Sequence, residues 1–373
     1  MLRYQPRFLN LIMRHTHNIF PLTLLLASFF LALAVPRAPA AAQDVAHGFP
    51  HALLYVTNSR SSLDSLRAHI NAMDIIAPQT YAATSTGKLL GTPRAEVLTL
   101  AQDAGAQVMP LVVNQNFCQK CVHTFLKNDT AQNKLLTSLI AEAKKRGYIG
   151  FQYDFEHMSA SDKDLYSAFV AKSAPILHGA GLQFSVAVAP KHSDLAADYG
   201  KGSWENWTGA FDYQAIGASA DFISVMAYDD SKSVGPAAAL PWVESVMNYA
   251  LARVPSDKIS LGVAFYAWIR NNKTGKIDHI VGYPSVAALF NSNTPITAAG
   301  WSDELGSSYV SYKKGSKSLT AWYEDQKSFQ QKLALVTNNH LRGFSAWALG
   351  QEDPMDWTHI TALTAGGAGL AVR

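Results

Sequence analysis

The sequence predicts a closed (β/α)8 barrel, and three observations favour this fold. Eight short β-rich runs follow one another along the chain, and amphipathic stretches with helical periodicity lie between most of them. The 373 residues accommodate the roughly 250 residues of such a barrel together with insertions. Hydrophobic residues make up 48% of the chain and charged residues 16%, which is enough apolar material for one large core.

The predicted strands and helices alternate along the chain. The strands cover residues 51–57, 74–81, 107–113, 149–156, 183–190, 222–229, 259–266 and 343–350. The clearest helical patterns lie at residues 93–104, 130–146, 161–178 and 241–253. A strand, a helix and a further strand form the unit of a parallel sheet, and eight such units predict a sheet that closes on itself.

The connection after the seventh strand is much longer than the others. Residues 271–325 contain a short helical run at 284–290 and a β-like piece at 308–312. This composition predicts a small α+β insertion on the face of the barrel where such folds build their sites. An insertion in this position would deepen a cleft.

Residues 1–42 have the composition of a secretory signal peptide. They contain four arginines and no acidic residue, then an apolar run at 20–35, and then the small residues 38–42. The alternative is an uncleaved membrane anchor, but the apolar run ends at Pro36 and is shorter than the ~20 residues that span a bilayer. The sequence therefore predicts an exported protein, with residues 43–373 as its mature barrel.

The charge balance argues against several classes of partner. The formal net charge is +3, and subtracting the four arginines of the leader leaves −1 for the mature chain. The sequence contains no basic patch of the kind that binds nucleic acid or anionic lipid. We expect a monomer that needs no cofactor or metal and has no stable membrane span after cleavage of the leader.

The two cysteines, Cys118 and Cys121, form a C-x-x-C pair. Such a pair can be half of a zinc site or a redox motif, but no second pair completes four ligands and no thioredoxin-like pattern surrounds it. In an exported chain the pair predicts a small local disulfide that pins a loop.

The fourth predicted strand contains the most informative pattern. Side chains alternate across a strand, so Gln152, Asp154 and Glu156 share one face, whereas the aromatic residues between them share the other. The aromatic face should meet the helices, which turns the polar face into the barrel. Two carboxylates and an amide are costly there unless they are hydrogen-bonded or functional. Because barrel chemistry collects at the carboxyl ends of strands, the pattern predicts a catalytic site.

This strand resembles the motif Asp-Gly-x-Asp-x-Asp-x-Glu of glycoside hydrolase family 18. Gly150, Asp154 and Glu156 match the motif, whereas Ile149 and Gln152 stand at its first two aspartates. The spore-cortex-lytic branch of the family often has an amide at the position of Gln152, and the sequence resembles that branch. The resemblance implies hydrolysis of β-linked N-acetylglucosamine glycans such as peptidoglycan or chitin.

Other stretches match the family in order along nearly all of the mature chain. Residues 226–229, Met-Ala-Tyr-Asp, are similar to the sixth-strand Met-x-Tyr-Asp, and residues 261–266 match the seventh strand. Residues 322–325, Trp-Tyr-Glu-Asp, resemble the Trp-Phe-Glu-Asp of the cortex-lytic branch, and residues 343–350 resemble its last strand. Several matches in register make the resemblance specific.

The arrangement of the carboxylates limits the mechanism. Asp154 and Glu156 approach a sugar from the same side because one strand carries both, so Asp154 is badly placed to attack opposite an acid at Glu156. The acetamido oxygen of the substrate can serve as nucleophile instead, as the family resemblance also implies. Glu156 would then be the general acid and base, Asp154 would stabilise the cyclic cation, and Tyr228 would position the acetamido group.

Six further residues are candidates for substrate binding, because they lie at strand ends or within the matching motifs. They are Gln152, Met226, Asp229, Trp347, Tyr266 and Tyr81. Two alternatives remain open: a catalytically silent, lectin-like barrel, although such members of the family have usually lost the glutamate, and a barrel acting on a glycan without acetyl groups. The sequence leaves the natural polymer and the choice between exo and endo action open.

Overall fold

The computed structural model describes residues 51–364 and confirms the (β/α)8 barrel. Each barrel strand pairs in parallel with the next, and the eighth pairs with the first, so the sheet closes. The eight strands are His51–Val56, Ile75–Ala83, Leu111–Asn114, Gly150–Asp154, Gln183–Val188, Phe222–Val225, Ile259–Ala264 and Gly343–Trp347. The predicted signal peptide lies outside the described residues.

The helices of the barrel follow its strands, and several have clear end signals. They are Arg60–His69, Ala95–Ala104, Gln119–Leu126, Asp129–Arg146, Lys163–His178, Ser203–Asn206, Tyr213–Ser219, Leu240–Leu251, Gln326–Asn338 and Asp356–Thr364. The helix Asp129–Arg146 begins after Asn128, whose side chain accepts a hydrogen bond from the Ala131 amide, and ends at Gly147 in the left-handed conformation. In the part of the chain described, no helix is both long and apolar enough to cross a bilayer.

The third and sixth strands differ from their predicted ranges. The third predicted strand is split into Gln107–Val108 and Leu111–Asn114, because Pro110 lies between them and has no amide hydrogen to donate. The sixth strand ends at Val225, and Asp229 adopts a positive φ of 64° that no strand permits. The residues after Val225 therefore leave the extended conformation of the strand.

Two different cores lie on the two sides of the fourth strand. On the helix side, Tyr153 stacks on Phe169 with ring centroids 5.2 Å apart, and Phe155 stacks on Tyr166 at 5.9 Å. The interior side contains a layer of buried serines, among them Ser224 and Ser345, next to a smaller apolar cluster that includes Leu53 and Phe222. The alternation of the strand thus sends its aromatic residues outward and its polar residues inward, as the sequence predicts.

The connection after the seventh strand forms a separate five-stranded antiparallel sheet. Its strands are Tyr266–Asn271, Ile277–Gly282, Ile296–Ser302, Ser307–Lys314 and Lys317–Tyr323, and its helix is Tyr283–Phe290. The helix packs Val286 against Ile269 and Val310 on one face of the sheet. This sheet begins at Tyr266, five residues before the predicted start of the insertion.

Candidate active site

A cleft of about 360 Å³ lies at the carboxyl ends of the barrel strands. Seven of the predicted site residues line it: Asp154, Glu156, Met226, Tyr228, Asp229, Tyr266 and Trp347. Asp154 is the last residue of the fourth strand, and Trp347 is the last residue of the eighth. The strand ends of the barrel thus bring together side chains that are far apart in the sequence.

Three carboxyl groups share the cleft, and their surroundings favour protonation. Burial raises the pKa of Asp154, and one of its carboxyl oxygens has no hydrogen-bond partner among the described residues. Burial, together with the negative charges of Asp154 and Asp229, raises the pKa of Glu156 well above its ordinary value. Burial also raises the pKa of Asp229 to about 6, although the hydroxyl of Tyr266 donates to this carboxylate. A carboxyl group with a raised pKa can keep its proton at neutral pH and donate it in a reaction.

Asn114 holds the backbone that carries Glu156. The side-chain amide of Asn114 donates to the Glu156 carbonyl at 2.9 Å, and its oxygen accepts from the Glu156 amide at 2.9 Å. Asn114 is buried at the end of the third strand. The paired hydrogen bonds fix the segment after the fourth strand, where the strand pairing has ended, and so position Glu156.

The structure brings Tyr228 and Trp347 next to other aromatic side chains. Tyr228 packs edge-on against Tyr266 with ring centroids 6.1 Å apart, and Trp347 lies 5.4 Å from Tyr55. Burial raises the pKa of Tyr228 well above its ordinary value, so its hydroxyl remains a proton donor at neutral pH. The cleft combines an apolar aromatic wall with a small number of polar groups, which is typical of ligand sites.

A comparison with family models identifies the family of the chain. The family model of the glycosyl hydrolases of family 18 matches residues 81–352, which include every barrel strand from the third to the eighth. The chain belongs to glycosyl hydrolase family 18. It is a glycosidase by family, and the cleft at its strand ends is the place where the family motifs converge.

Similar proteins come from several bacteria. The glycosylase YvbX of Bacillus subtilis is 28% identical over 316 residues, covering 82% of this chain and 89% of YvbX. The cortical fragment-lytic enzyme of the same organism is 26% identical over 296 residues, covering 74% of this chain and 65% of that enzyme, which is just under two thirds of its length. The crystal structure of a chitinase from Chromobacterium violaceum has a TM-score of 0.74 at 23% identity, covering 87% of this chain and all of that one.

Gln152, predicted as a substrate contact, lies beneath the cleft of this family 18 barrel. It is fully buried, its oxygen accepts from the Tyr55 hydroxyl at 2.7 Å, and its nitrogen donates to Ser185 at 3.0 Å and Ser224 at 2.9 Å. Its polar atoms are therefore occupied by the protein. The prediction is corrected: Gln152 supports the floor of the cleft through Tyr55, which does line it.

The prediction that Tyr81 contacts substrate is also wrong. Its hydroxyl donates to Glu142 at 2.9 Å and its ring packs edge-on against Phe151, both on the helix side of the barrel. The pairing of the second strand shifts register between Gln79 and Tyr81, which marks a β-bulge. A bulge adds one residue and reverses the alternation beyond it, so Gln79 faces the cleft and Tyr81 faces away.

Sequence reasoning missed several residues that line the cleft. They are Tyr55, Gln79, Phe117, Trp207, Ile280 and Gln351. Trp207 Nε1 and the Gln351 side-chain oxygen are buried without a hydrogen-bond partner in residues 51–364. Tyr55 lies near the end of the first strand on its inward face, so alternation was a signal for it. The others lie in loops, in the insertion or before a bulge, where periodicity carries no information.

Cys118 and Cys121 are joined by a disulfide in the structure. Cys118 also caps the helix Gln119–Leu126, because its sulfur accepts from the Cys121 amide. The bond closes the loop directly after Phe117, which lines the cleft. Elsewhere in the described ranges, no group of three or more His, Cys, Asp or Glu side chains is arranged to hold a metal ion.

Proposed function

We propose that the chain hydrolyses β-linked N-acetylglucosamine glycans by a substrate-assisted, retaining mechanism. The observation that carries the proposal is that Asp154, the last residue of the fourth strand, and Glu156, two residues beyond it, line one cleft whose surroundings raise the pKa of both carboxyl groups. Two carboxyl groups that lie two residues apart at the end of one strand reach the sugar from the same side. The nucleophile is therefore the acetamido oxygen of the substrate, as in other family 18 hydrolases.

In the first step, the carboxyl group of Glu156 donates its proton to the glycosidic oxygen as the bond from that oxygen to the anomeric carbon breaks. The acetamido carbonyl oxygen attacks the same carbon from the opposite side and forms a cyclic oxazolinium ion. In the second step, the Glu156 carboxylate removes a proton from water, and the water oxygen attacks the anomeric carbon. The bond from this carbon to the acetamido oxygen breaks, which opens the oxazolinium ring. Two inversions at one carbon restore the original configuration, and Glu156 regains its proton.

Asp154 and Tyr228 assist the acetamido group. The unpartnered carboxyl oxygen of Asp154 is available to accept from the acetamido N–H and to stabilise the positive charge that develops on the ring. The Tyr228 hydroxyl, which keeps its proton at neutral pH, donates to the acetamido carbonyl oxygen and holds it in line for attack. Trp347 provides an apolar surface on which the pyranose stacks.

The proposed substrate is a polysaccharide outside the cytoplasm, with peptidoglycan as the first candidate and chitin fragments as the second. The relative with the name cortical fragment-lytic enzyme supports peptidoglycan, whereas the fold shared with a chitinase is compatible with both. The signal-peptide pattern and the disulfide are consistent with a location outside the cytoplasm. Export is therefore part of the proposal.

Product analysis tests the reaction and the substrate together. The purified chain is incubated with peptidoglycan and, separately, with chitooligosaccharides, and the products are identified by mass. Proton NMR of the first product should show the retained anomer. An initially inverted anomer, or equal hydrolysis of a de-N-acetylated substrate, would eliminate the substrate-assisted mechanism, and absence of products from both glycans would remove the proposed activity.

A further inference from the structure

A second cavity of about 560 Å³ lies on the insertion and shares no lining residue with the catalytic cleft. It is formed by the face of the five-stranded sheet that the helix Tyr283–Phe290 does not cover. Ile269 and Val310 point to the covered face, and the residues next to them in their strands point to the cavity. No part of the proposed mechanism uses this face.

The first feature of the cavity is a pair of aromatic residues, Trp322 and Tyr309, which belong to a row of paired residues across four strands. Trp268, Trp322, Tyr309 and Gly300 are direct neighbours on four adjacent strands. The rings of Trp322 and Tyr309 have centroids 5.3 Å apart, and a side chain at Gly300 would meet the Tyr309 hydroxyl at 3.3 Å. The absence of a side chain at Gly300 leaves room for the Tyr309 ring beside it. The side chains of Tyr309 and Trp322 are both partly exposed.

The second feature is a row of polar residues on the same face, two residues along the strands from the aromatic pair. Thr320 pairs with Ser311 on one side and with Arg270 on the other. The Thr320 hydroxyl donates to the Asn272 side-chain oxygen at 2.9 Å, so the contact of 2.8 Å between Ser311 and Thr320 uses the Ser311 proton. The Ser311 oxygen is left with lone pairs that can accept from a ligand hydroxyl.

The charge of the cavity indicates a neutral ligand. Among residues 51–364, Arg270 is the one charged residue that lines it. Its guanidinium donates to the backbone carbonyls of Gly235 at 2.6 Å, Ser233 at 2.8 Å and Gly275 at 2.9 Å. This cation is therefore engaged by the protein, and the rest of the lining consists of aromatic, amide, hydroxyl and small side chains. Such a lining favours neither a phosphate nor an acidic polymer.

We propose that this face, the sheet platform of Trp322, Tyr309, Ser311 and Thr320, is a second saccharide-binding site that holds a neutral glycan chain. A pyranose has an apolar ring face and a hydroxyl edge, which match the aromatic and polar rows respectively. Adjacent strands lie about 4.8 Å apart, close to the length of one pyranose unit, so successive sugars meet successive strands. The proposal rests on the proposed function in taking the polymer from the same class of substrate.

The test measures binding to insoluble polymer separately from catalysis. Intact chain carrying Glu156→Gln, which should bind without cleaving, is sedimented with chitin particles, which are neutral, and separately with purified peptidoglycan, whose muramic acid and peptide carboxylates make it anionic. The double substitution Tyr309→Ala with Trp322→Ala should weaken binding to chitin by about tenfold or more, because two stacking surfaces are lost, and a loss confined to peptidoglycan would contradict a neutral ligand. Phe290→Ala is the matched control, since Phe290 is an exposed aromatic residue of the insertion outside the cavity and should leave binding unchanged.

A second variant covers the case in which removal of two rings unfolds the insertion, as a circular dichroism melt would reveal. Ser311→Leu keeps both rings but removes the acceptor and fills part of the polar row, and it should also weaken binding. In chain with Glu156 intact, either variant should leave kcat/KM for a short soluble chitooligosaccharide within about twofold, because the cleft is untouched.

The outcomes separate this proposal from the proposed function. Equal binding to chitin by the folded variants and Phe290→Ala, or no binding of the parent chain to chitin, would overturn the second site while leaving the catalytic proposal intact if glycans are still cleaved. Loss of binding in the variants would support the site even if no glycan were cleaved. A parallel loss of kcat/KM on the short substrate would overturn it, because the substitutions would then act through the cleft.

Discussion

Gln152 stands at an aspartate position of the motif and still makes hydrogen bonds inside the barrel. An amide both donates and accepts, and Gln152 uses both functions with the Tyr55 hydroxyl and two serines. An aspartate there would bring a further buried carboxyl close to Asp154, where only the interior hydroxyls are available to stabilise it. The amide therefore supports the cleft floor without adding charge. The proton chemistry is left to Asp154 and Glu156.

The first prediction concerns Glu156. Replacement by glutamine keeps the size and the hydrogen-bonding capacity but removes the transferable proton, so turnover should fall by about 10²-fold or more with the fold intact. Steady-state kinetics and a thermal melt measure the two effects. Glu244→Gln, at an exposed position on the helix Leu240–Leu251, is the control and should retain full activity. Activity retained in Glu156→Gln would exclude this residue as the acid.

The second prediction concerns Asp154. In Asp154→Asn the amide can still hydrogen-bond the acetamido group but cannot stabilise a positive charge, so kcat should fall while substrate binding changes little. A thiazoline analogue of N-acetylglucosamine, which resembles the cyclic cation, should bind the native chain well and the variant more weakly. Single-turnover rates and inhibition constants provide the measurement. A variant that loses ground-state binding but keeps its chemical step would contradict this role.

At the scale of single elements, the last helix begins in an unusual environment. Asp356, its first residue, is completely buried, and neither carboxyl oxygen has a hydrogen-bond partner among residues 51–364. Burial, followed by the charges of Asp353 and Glu324, raises the pKa of Asp356 to about 9. The native chain thus keeps a proton on Asp356 over a pH range in which the unfolded chain releases it.

The third prediction follows from that pKa. Between about pH 4 and pH 9 the folded state holds one more proton at Asp356 than the unfolded state, so the free energy of unfolding falls as pH rises. Asp356→Asn mimics the protonated group and should be more stable than the native chain by at least about 1 kcal/mol at pH 8, with little difference at pH 4. Urea unfolding at the two pH values measures this.

The matched control for that experiment is Asp303→Asn, at an exposed position of the insertion. It should change the free energy of unfolding by less than about 0.5 kcal/mol at either pH. A gain in Asp356→Asn that is the same at pH 4 and pH 8 would point to packing and contradict the role of the proton.

At the scale of the whole molecule, the disulfide links the fold to the compartment in which the chain works. The bond between Cys118 and Cys121 closes a loop whose neighbour Phe117 lines the cleft. Local disulfides of this kind persist in oxidising compartments, which agrees with the signal-peptide pattern. We therefore expect the position of Phe117 in the cleft wall to depend on the oxidised state of the two cysteines.

The fourth prediction tests this state. Intact-mass analysis after thiol labelling of the chain, isolated under oxidising conditions, should show no free thiol until a reductant is added. Labelling of the same sample after reduction is the control and should add two labels, one for each cysteine of the chain. Labelling of both cysteines under native, oxidising conditions would rule out a structural disulfide.

The sequence by itself determined the barrel and the inward face of its fourth strand. Strand and helix periodicities are local properties, so alternation was sufficient to turn Asp154 and Glu156 inward and to send Tyr153 to the helices. The same local logic predicted the insertion, because a long connection without barrel periodicity remains visible in one dimension.

Only the tertiary structure decided which side chains meet. Because of the bulge in the second strand, Gln79 faces the cleft and Tyr81 does not. The sequence has no signal for a register shift that depends on the pairing partner. Trp207 reaches the cleft from a loop, and the aromatic row of Trp322 and Tyr309 exists only because antiparallel pairing aligns two strands. Local patterns fix the direction of a side chain. Whether side chains from distant segments meet depends on the strand pairing within the barrel sheet and within the sheet of the insertion.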